Sequence, residues 1–232
     1  MKIYCITPLY NSNIEYLKQN IDSIQNQSQE VNHILVFDGP NDSVKAWVRE
    51  YALKKNNIEI IELPEPHGDY GDTPRFVGTV SAFSRGADAV FWLDDDNWVD
   101  QDHAKVMSSN LNEKCPIATC QRKITTLEGE VMGLCFETNP NSFIDTNCYM
   151  IHKSAKRIAN VWWLMPDNLH IFGDKVLYKN IQDHRMDSKY YSEPTVNYRT
   201  NFNFHYQAYG YPVPEGAKDG VGVQYRQQQG AA

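Results

Sequence analysis

The sequence predicts an α/β fold with a mostly parallel sheet, and two observations support this prediction. Strand and helix patterns alternate through the first hundred residues, and each strand pattern is a short apolar run. The fourth run, DAVFWLD at 88–94, is apolar at nearly every position, which is typical of a strand covered on both faces. Parallel strands joined by right-handed crossovers account for both observations.

The elements of the first half follow in order. Strand patterns lie at 2–9, 31–39, 57–63 and 88–94. Helical patterns lie at 13–27, 42–55 and 75–87. Pro8 ends the first strand and Gly86 ends the third helix, because these residue types interrupt regular structure. The segment PEPHGDYGDTP at 64–74 is a turn-rich loop, since Gly, Pro and Asp favour turns.

The second half is less regular. Helices are expected at 101–113, 154–163 and 173–184. Strands are expected at 116–126, 130–138 and 142–155. From Pro194 onwards the chain is rich in Tyr, Asn and Gly, and no element is predicted there. We expect one domain over 1–220, made of two halves at 1–100 and 101–220, and a frayed tail at 221–232.

Composition narrows the classes of function. The 232 residues are 41% hydrophobic and 22% charged, with a net charge of -7, which argues against nucleic acid as a partner. No run approaches the roughly 20 apolar residues of a membrane span, and the start, MKIYCITPLYNS, lacks a signal-peptide pattern. We therefore expect a cytoplasmic protein. The five cysteines are scattered, which favours reduced thiols over zinc or disulfides.

Three adjacent acids close the fourth predicted strand. In FWLDDDNW at 91–98, Asp94, Asp95 and Asp96 have no basic neighbour. Ligands bind beyond the carboxyl ends of parallel strands, so the acids are expected at a crevice with Asp38, which ends the second strand. Asp94 and Asp96 share one side of the chain. Two such carboxylates suit Mg²⁺ or Mn²⁺, although an acidic loop or a helix cap also explains them.

Five motifs occur in order along residues 1–180. They are ITPLYN at 6–11, FDGPND at 37–42, RFVG at 75–78, LDDDN at 93–97 and GDKVL at 173–177. In this order the chain resembles the family 2 glycosyltransferases, where LDDDN corresponds to the D-x-D motif. The resemblance implies a single-domain GT-A fold, with a mostly parallel central sheet, flanking helices and a small antiparallel subregion on the acceptor side.

The resemblance also implies that 1–100 is the nucleotide-sugar-binding half and 101–220 the acceptor-side half, and it implies roles for the residues in these motifs. The nucleotide and donor sugar would contact residues from four of them: Thr7, Tyr10, Asp38, Arg75 and Asp95. Asp94 and Asp96 would hold a divalent metal, Mn²⁺ or Mg²⁺, and Asp174 would be the general base of an inverting transfer. One acid of the family pattern is missing, because Gly173 stands before Asp174. Asp174 is equally explained as a helix residue favoured by the helix dipole.

Four further residues are weaker candidates. His205 in FNFHYQ is a candidate metal ligand, although a stacked or surface histidine explains it as well. Asp145 and Thr146 precede CYMIH, a region that faces the acceptor in the resembling family; turn capping is the alternative. Trp98 offers a ring face on which a sugar can stack.

The leading prediction is a metal-dependent glycosyltransferase that moves a sugar from a nucleotide sugar, a UDP-sugar, to a glycan or lipid-linked acceptor. The absence of a Q-x-x-R-W element favours a single transfer over polymer synthesis. An enzyme of this kind is compatible with peripheral contact at the inner face of a membrane. One alternative is a non-catalytic nucleotide-sugar or glycan-binding module. Another is a sugar-phosphate nucleotidyltransferase, which needs a glycine-rich loop where residues 7–12 read TPLYNS.

Overall fold

The computed structural model describes residues 1–52, 54–55 and 57–220. The tail expected at 221–232 lies outside the described residues. The strands are β1 (Ile3–Leu9), β2 (Val31–Phe37), β3 (Ile58–Glu62), β4 (Ala89–Trp92), β5 (Trp98–Val99), β6 (Ile117–Thr125), β7 (Val131–Leu134), β8 (Tyr149–His152) and β9 (Ser188–Arg199). The α-helices are α1 (Ile14–Gln25), α2 (Asp42–Ala52), α3 (Asp72–Ser84), α4 (His103–Ser108), α5 (Asn160–Trp163), α6 (Gly173–Asp183) and α7 (Asn203–Tyr209).

These strands form one sheet in the order β3-β2-β1-β4-β8-β6-β9-β5, with β7 beside β6. In the first half, β1 pairs in parallel with β2 and β4, and β2 pairs in parallel with β3. In the second half, β8 runs antiparallel to β4 and β6, and β7 runs antiparallel to β6. The predicted α/β class with a mostly parallel sheet and a smaller antiparallel subregion is confirmed.

Helix α3 begins three residues before the predicted start at 75, because the preceding loop caps it. The carboxylate of Asp69 accepts hydrogen bonds from the N–H groups of Gly71 (3.1 Å) and Thr73 (2.8 Å). Pro74 lies in the first turn, where its missing N–H costs nothing. The early start places the N-terminus of α3 directly beside the end of β1.

The second half departs further from the prediction. Strand β9 and helix α7 were not predicted, and Pro194 lies inside β9. This proline is opposite Gln121, where the register between β6 and β9 shifts; such an irregularity lets a strand contain proline. The helix expected at 154–163 is a 3₁₀ segment, Lys153–Ala159, followed by the single turn of α5. The helix expected at 101–113 shortens to α4.

The core lies on both faces of the sheet. Gly78 allows α3 to approach β1 closely, since a Cβ there would lie 2.5 Å from Ile6. Trp92 of β4 is fully buried, packs edge-on against Trp162 (5.3 Å between ring centroids), and donates its indole N–H to Thr79 (3.0 Å). Among the described helices, none is long and apolar enough to span a membrane.

Candidate active site at the carboxyl end of the sheet

A crevice of about 360 Å³ opens beyond the carboxyl ends of β1, β2 and β4. Its walls are the segments 8–11, 68–71 and 94–97, with Asp38, Arg75 and Tyr198. The position is the one expected from the parallel order of the strands. Residues far apart in sequence therefore meet at one place.

The backbone of the three acids is held from two sides. The N–H of Asn97 donates to the carbonyl of Asp94 (3.0 Å) and closes a turn. From α1, the amide of Asn20 donates to the carbonyls of Asp94 (2.9 Å) and Asn97 (3.0 Å). From β9, the guanidinium of Arg199 donates to the carbonyl of Asp96. These contacts fix the turn, and residues 94–96 line the crevice.

Asp94 has partners at both carboxylate oxygens. Arg75, buried at the floor of the crevice, donates to Oδ1 and also to the carbonyl of Tyr70 (2.9 Å). The side-chain amide of Asn147 donates to Oδ2 (2.9 Å), while its oxygen accepts the backbone N–H of Asp94 (2.6 Å). Asp94 is therefore oriented by two neighbours, and neither contact was predicted from the sequence.

Asp95 and Asp96 differ from Asp94. Within the described residues, neither carboxylate makes an ion pair. Burial raises the pKa of Asp95 to about 6, and burial together with the charges of Asp95 and Asp94 raises the pKa of Asp96 to about 8. At both groups burial is the main cause, so the ionised form is disfavoured until a cation lies nearby.

The acid turn fits a divalent cation of the Mg²⁺ or Mn²⁺ type. Such ions take one or two carboxylates together with substrate phosphates and do not need a full protein cage. In the part of the chain that the structure describes, no three His, Cys, Asp or Glu side chains converge as a metal centre. Because its pKa is raised to about 8, Asp96 would be stabilised in its ionised form by a cation that is also held by a substrate phosphate.

A buried polar network leads from Asp94 into the antiparallel half. Asn147 donates to Asp145 (2.8 Å), and Asp145 accepts from the guanidinium of Arg122. Arg122 also lies 3.5 Å from Glu137. Sequence patterns missed this network because its members come from separate segments. The only sequence signal is DTN at 145–147, where Asn147 directly follows the acceptor candidates Asp145 and Thr146.

The residues expected to bind the nucleotide-sugar donor differ in how deeply they are buried. Tyr10 is exposed at the rim of the crevice. Asp38 is buried in its wall, accepts the backbone N–H of His67 (3.1 Å) and lies 2.6 Å from Nδ1 of that residue. Thr7 is fully buried and its hydroxyl lies 2.8 Å from Nε2 of His33. Thr7 therefore packs behind the crevice and does not line it.

The loop 64–74 contributes more than the sequence indicated. It supplies one wall of the crevice, including Tyr70, which has a positive φ of 57°. Positive φ is uncommon for a residue with a large side chain and often occurs at functional sites. The conformation directs the Tyr70 carbonyl towards Arg75 and leaves the ring 65% exposed beside the crevice.

Asp174 lies in the first turn of α6, outside the residues that line the crevice. Burial, with repulsion from Asp145, raises its pKa to about 6. A general base works best with a pKa near the working pH. A Cβ at position 173 would lie 3.1 Å from the ring of Trp162, so close packing of α6 on α5 explains why glycine replaces the second acid.

The weaker candidates do not reach the crevice. His205 is buried, with Nδ1 at 2.7 Å from the hydroxyl of Thr200 and Nε2 at 3.1 Å from Glu137. Asp145 and Thr146 are also buried, and the Asp145 carboxylate is taken by the network described above. The ring of Trp98 lies 4.8 Å from the Arg199 guanidinium, beside a depression along α1.

The parallel sheet and the acidic crevice at its carboxyl end define a GT-A fold, as predicted. The chain belongs to glycosyl transferase family 2, whose sequence profile matches residues 4–156. The resemblance inferred from the five motifs is thereby confirmed. Among curated proteins, no sequence matches the chain.

Solved structures with the same fold include two glycosyltransferases. TarS 1–349 from S. aureus in complex with UDP is 16% identical with a TM-score of 0.66, and the match covers 86% of this chain and 61% of that one. The same protein in complex with UDP-GlcNAc is 15% identical with a TM-score of 0.60, covering 86% and 59%. The mannosyltransferase PcManGT from Pyrobaculum calidifontis, in complex with GDP-Man and Mn²⁺, is 12% identical with a TM-score of 0.62, covering 86% and 57%. This chain spans about three fifths of each.

Proposed function

We propose that the protein transfers a sugar from a UDP-sugar to a hydroxyl group of a glycan or lipid-linked acceptor, with inversion at the anomeric carbon and with Mn²⁺ or Mg²⁺. The observation that carries the proposal is the turn at 94–96, whose three acids are among the residues that line the crevice after β4. Family membership supports glycosyl transfer. Structures of the same fold bound to UDP, UDP-GlcNAc and GDP-Man support a nucleotide-sugar donor.

The nucleotide is assigned to the wall formed by β1, β2 and the loop 64–74. Tyr10, exposed at the rim, offers a ring for the base, and Asp38 offers a carboxylate to the base or the ribose. The contact between Asp38 and His67 holds the loop against β2, so this wall is organised before the nucleotide arrives. Asp95 is assigned to the ribose or donor sugar.

The divalent metal is assigned to Asp96, with Asp94 beside it. A metal held there would supply positive charge that stabilises the leaving diphosphate. Arg75 and Asn147 determine where the Asp94 carboxylate lies, because both are buried and bind its two oxygens. Arg75 is therefore assigned to orienting Asp94, and its location on the crevice floor keeps it near the phosphates.

Asp174 is assigned as the general base. An inverting transfer needs a base on the face of the sugar opposite the leaving group. Asp174 comes from α6, a segment separate from the donor wall, and its pKa of about 6 leaves it ionised at neutral pH. Its carboxylate would accept the proton of the acceptor hydroxyl as the oxygen attacks the anomeric carbon.

The proposal is tested by measuring UDP release from a panel of UDP-sugars with Mn²⁺ and saccharide acceptors. Asp174→Asn should lower kcat by about 10²- to 10⁴-fold, the usual contribution of a general base, with little change in the KM of the donor. Asp42→Asn is the matched control, since Asp42 is an exposed acid in the first turn of α2. Full turnover in Asp174→Asn would contradict the mechanism, and metal-dependent binding without turnover of any donor would favour a binding module.

A further inference from the structure

The outer face of α5 and the 3₁₀ segment before it form a solvent-facing stripe. Its exposed members recur at intervals of three and four: Lys153, Lys156, Arg157, Asn160, Trp163 and Leu164. Ser154 is exposed as well, and the other residues between them are buried: Ala155, Ile158, Ala159, Val161 and Trp162. This spacing places the exposed set on one side of a helical segment. We call this set the α5 stripe.

One end of the α5 stripe is apolar. Trp163 is 60% exposed and Leu164 is 71% exposed. The ring of Trp163 stacks on Phe76 of α3 (5.6 Å between centroids), and Val80, one turn further along α3, is 50% exposed. The apolar area therefore extends over two helices, and a contiguous apolar area of this kind marks an interaction surface more often than a single exposed residue does.

The other end of the stripe is basic on an acidic protein. Residues 153–172 contain three Lys or Arg and one acid, Asp167, whereas the whole chain has a net charge of -7. Lys153 pairs with Asp88 (2.7 Å). Within the described residues, Lys156 and Arg157 make no ion pair. Positive charge thus lies beside exposed Trp and Leu.

We propose that the α5 stripe docks the protein on an anionic lipid surface. Tryptophan prefers the boundary between headgroups and acyl chains, and Leu164 gains by leaving water. Lys156 and Arg157 then face anionic headgroups, which attract juxtamembrane cations. A second copy of the chain fits less well, because a two-fold contact pairs the stripe with itself, and the stripe contains no acid to pair with Lys156 and Arg157.

The segment that carries the stripe packs against the start of α6. On the inner side of α5 and the turn after it, Trp162 and Met165 pack against Gly173, at 3.1 Å and 3.8 Å from a Cβ built there. Helix α5 therefore lies between the exposed Trp163 and Leu164 and the N-terminus of α6, where Asp174 is located. Docking goes beyond the proposed transfer and does not depend on it.

The test is co-sedimentation of the full chain with vesicles of phosphatidylcholine alone and of phosphatidylcholine mixed with phosphatidylglycerol. The wild type should bind the mixed vesicles, more weakly at high salt, and should not bind the neutral ones. Lys156→Glu/Arg157→Glu should weaken binding by about tenfold or more, since each cation near such a surface contributes about 1 kcal/mol. Trp163→Ser/Leu164→Ser should also weaken it, and brominated lipids should quench fluorescence less in Trp163→Phe than in the wild type.

Matched controls separate the stripe from general surface properties. Val131→Ser/Leu134→Ser removes an exposed apolar pair on β7, and Lys114→Glu/Lys189→Glu reverses two exposed lysines outside the stripe. Both should bind vesicles like the wild type, and all stripe variants should keep the affinity for UDP. No vesicle binding by the wild type, or equal losses in stripe and control variants, would overturn the proposal. So would a concentration-dependent dimer, measured by sedimentation equilibrium, that the stripe variants abolish while vesicle binding persists.

Discussion

Replacing Asn147 tests whether the orientation of Asp94 depends on the polar network behind it. Asn147 is 1% exposed. Its side chain accepts the N–H of Asp94 (2.6 Å) and donates to the carboxylates of Asp94 (2.9 Å) and Asp145 (2.8 Å). Asn147→Ala deletes all three contacts, and water can replace in part only the bond to the Asp94 carboxylate, which is partly exposed.

The size of the effect follows from these contacts. The backbone bond is worth about 1 kcal/mol and a bond to a buried carboxylate about 1.5–3 kcal/mol. The Asp94 carboxylate is 30% exposed, so water replaces part of that bond and its contribution is smaller. We expect Asn147→Ala to lower the free energy of unfolding by about 2–4 kcal/mol. We also expect kcat/KM to fall about tenfold to a hundredfold, because Asp94 is no longer held in place.

Urea denaturation and initial rates of UDP release measure the two effects. Asn147→Asp keeps the size of the side chain but places a third acceptor between two carboxylates, so it should be at least as damaging. Asn141→Ala, at an exposed asparagine, should change stability by less than about 0.5 kcal/mol. If Asn147→Ala behaves like Asn141→Ala in both assays, the network does not position Asp94 and the reasoning fails.

Two further predictions concern α6 and α3. Since Asp174 must be ionised to act as the base and its pKa is about 6, kcat should fall as the pH drops through about 6, and the residual rate of Asp174→Asn should lack this inflection. The pKa of Asp174 in the folded state lies above the ordinary 3.8, so ionisation of this group destabilises the fold as the pH rises from about 4 to 6. In urea titrations, Asp174→Asn should therefore gain stability relative to the wild type over that range. A stability difference that stays constant with pH would contradict the raised pKa. Gly78→Ala should lower the free energy of unfolding by about 1–3 kcal/mol, because the new Cβ would lie 2.5 Å from Ile6. This loss should exceed the gain of about 1 kcal/mol in helix propensity. Unchanged stability in urea denaturation would show that α3 does not need this close approach to β1.

The parallel half was predictable because each of its elements carries a local signal. The apolar runs of β1, β2 and β4 are long enough to recognise, and the rule for parallel sheets then places Asp38 and the acids of residues 94–96 at one edge. The start of α3 was misplaced because its cap comes from Asp69, and a carboxylate that bonds two N–H groups leaves no periodic pattern. Local sequence signals thus predict which helices and strands form, but not the residues at which they begin and end.

The antiparallel half was less predictable because its pairing is long-range. Around Pro194 the sequence of β9 has no strand pattern. The segment is a strand because it pairs with β6, and the register of that pairing shifts at the proline. The same limitation applies to Arg122 and Asn147. Their function depends on partners from other elements, and a buried arginine is indistinguishable from a surface arginine in the sequence. By contrast, the D-x-D pattern was recognisable because its residues are adjacent.

The most direct test of the account is a crystal structure of the protein with UDP and Mn²⁺, with the metal located by anomalous scattering. The account predicts the diphosphate in the crevice, the metal between it and the carboxylate of Asp96, and the uracil against the wall that contains Tyr10 and Asp38. UDP bound outside this crevice, or bound within it while Mn²⁺ contacts none of Asp94, Asp95 and Asp96, would contradict the account.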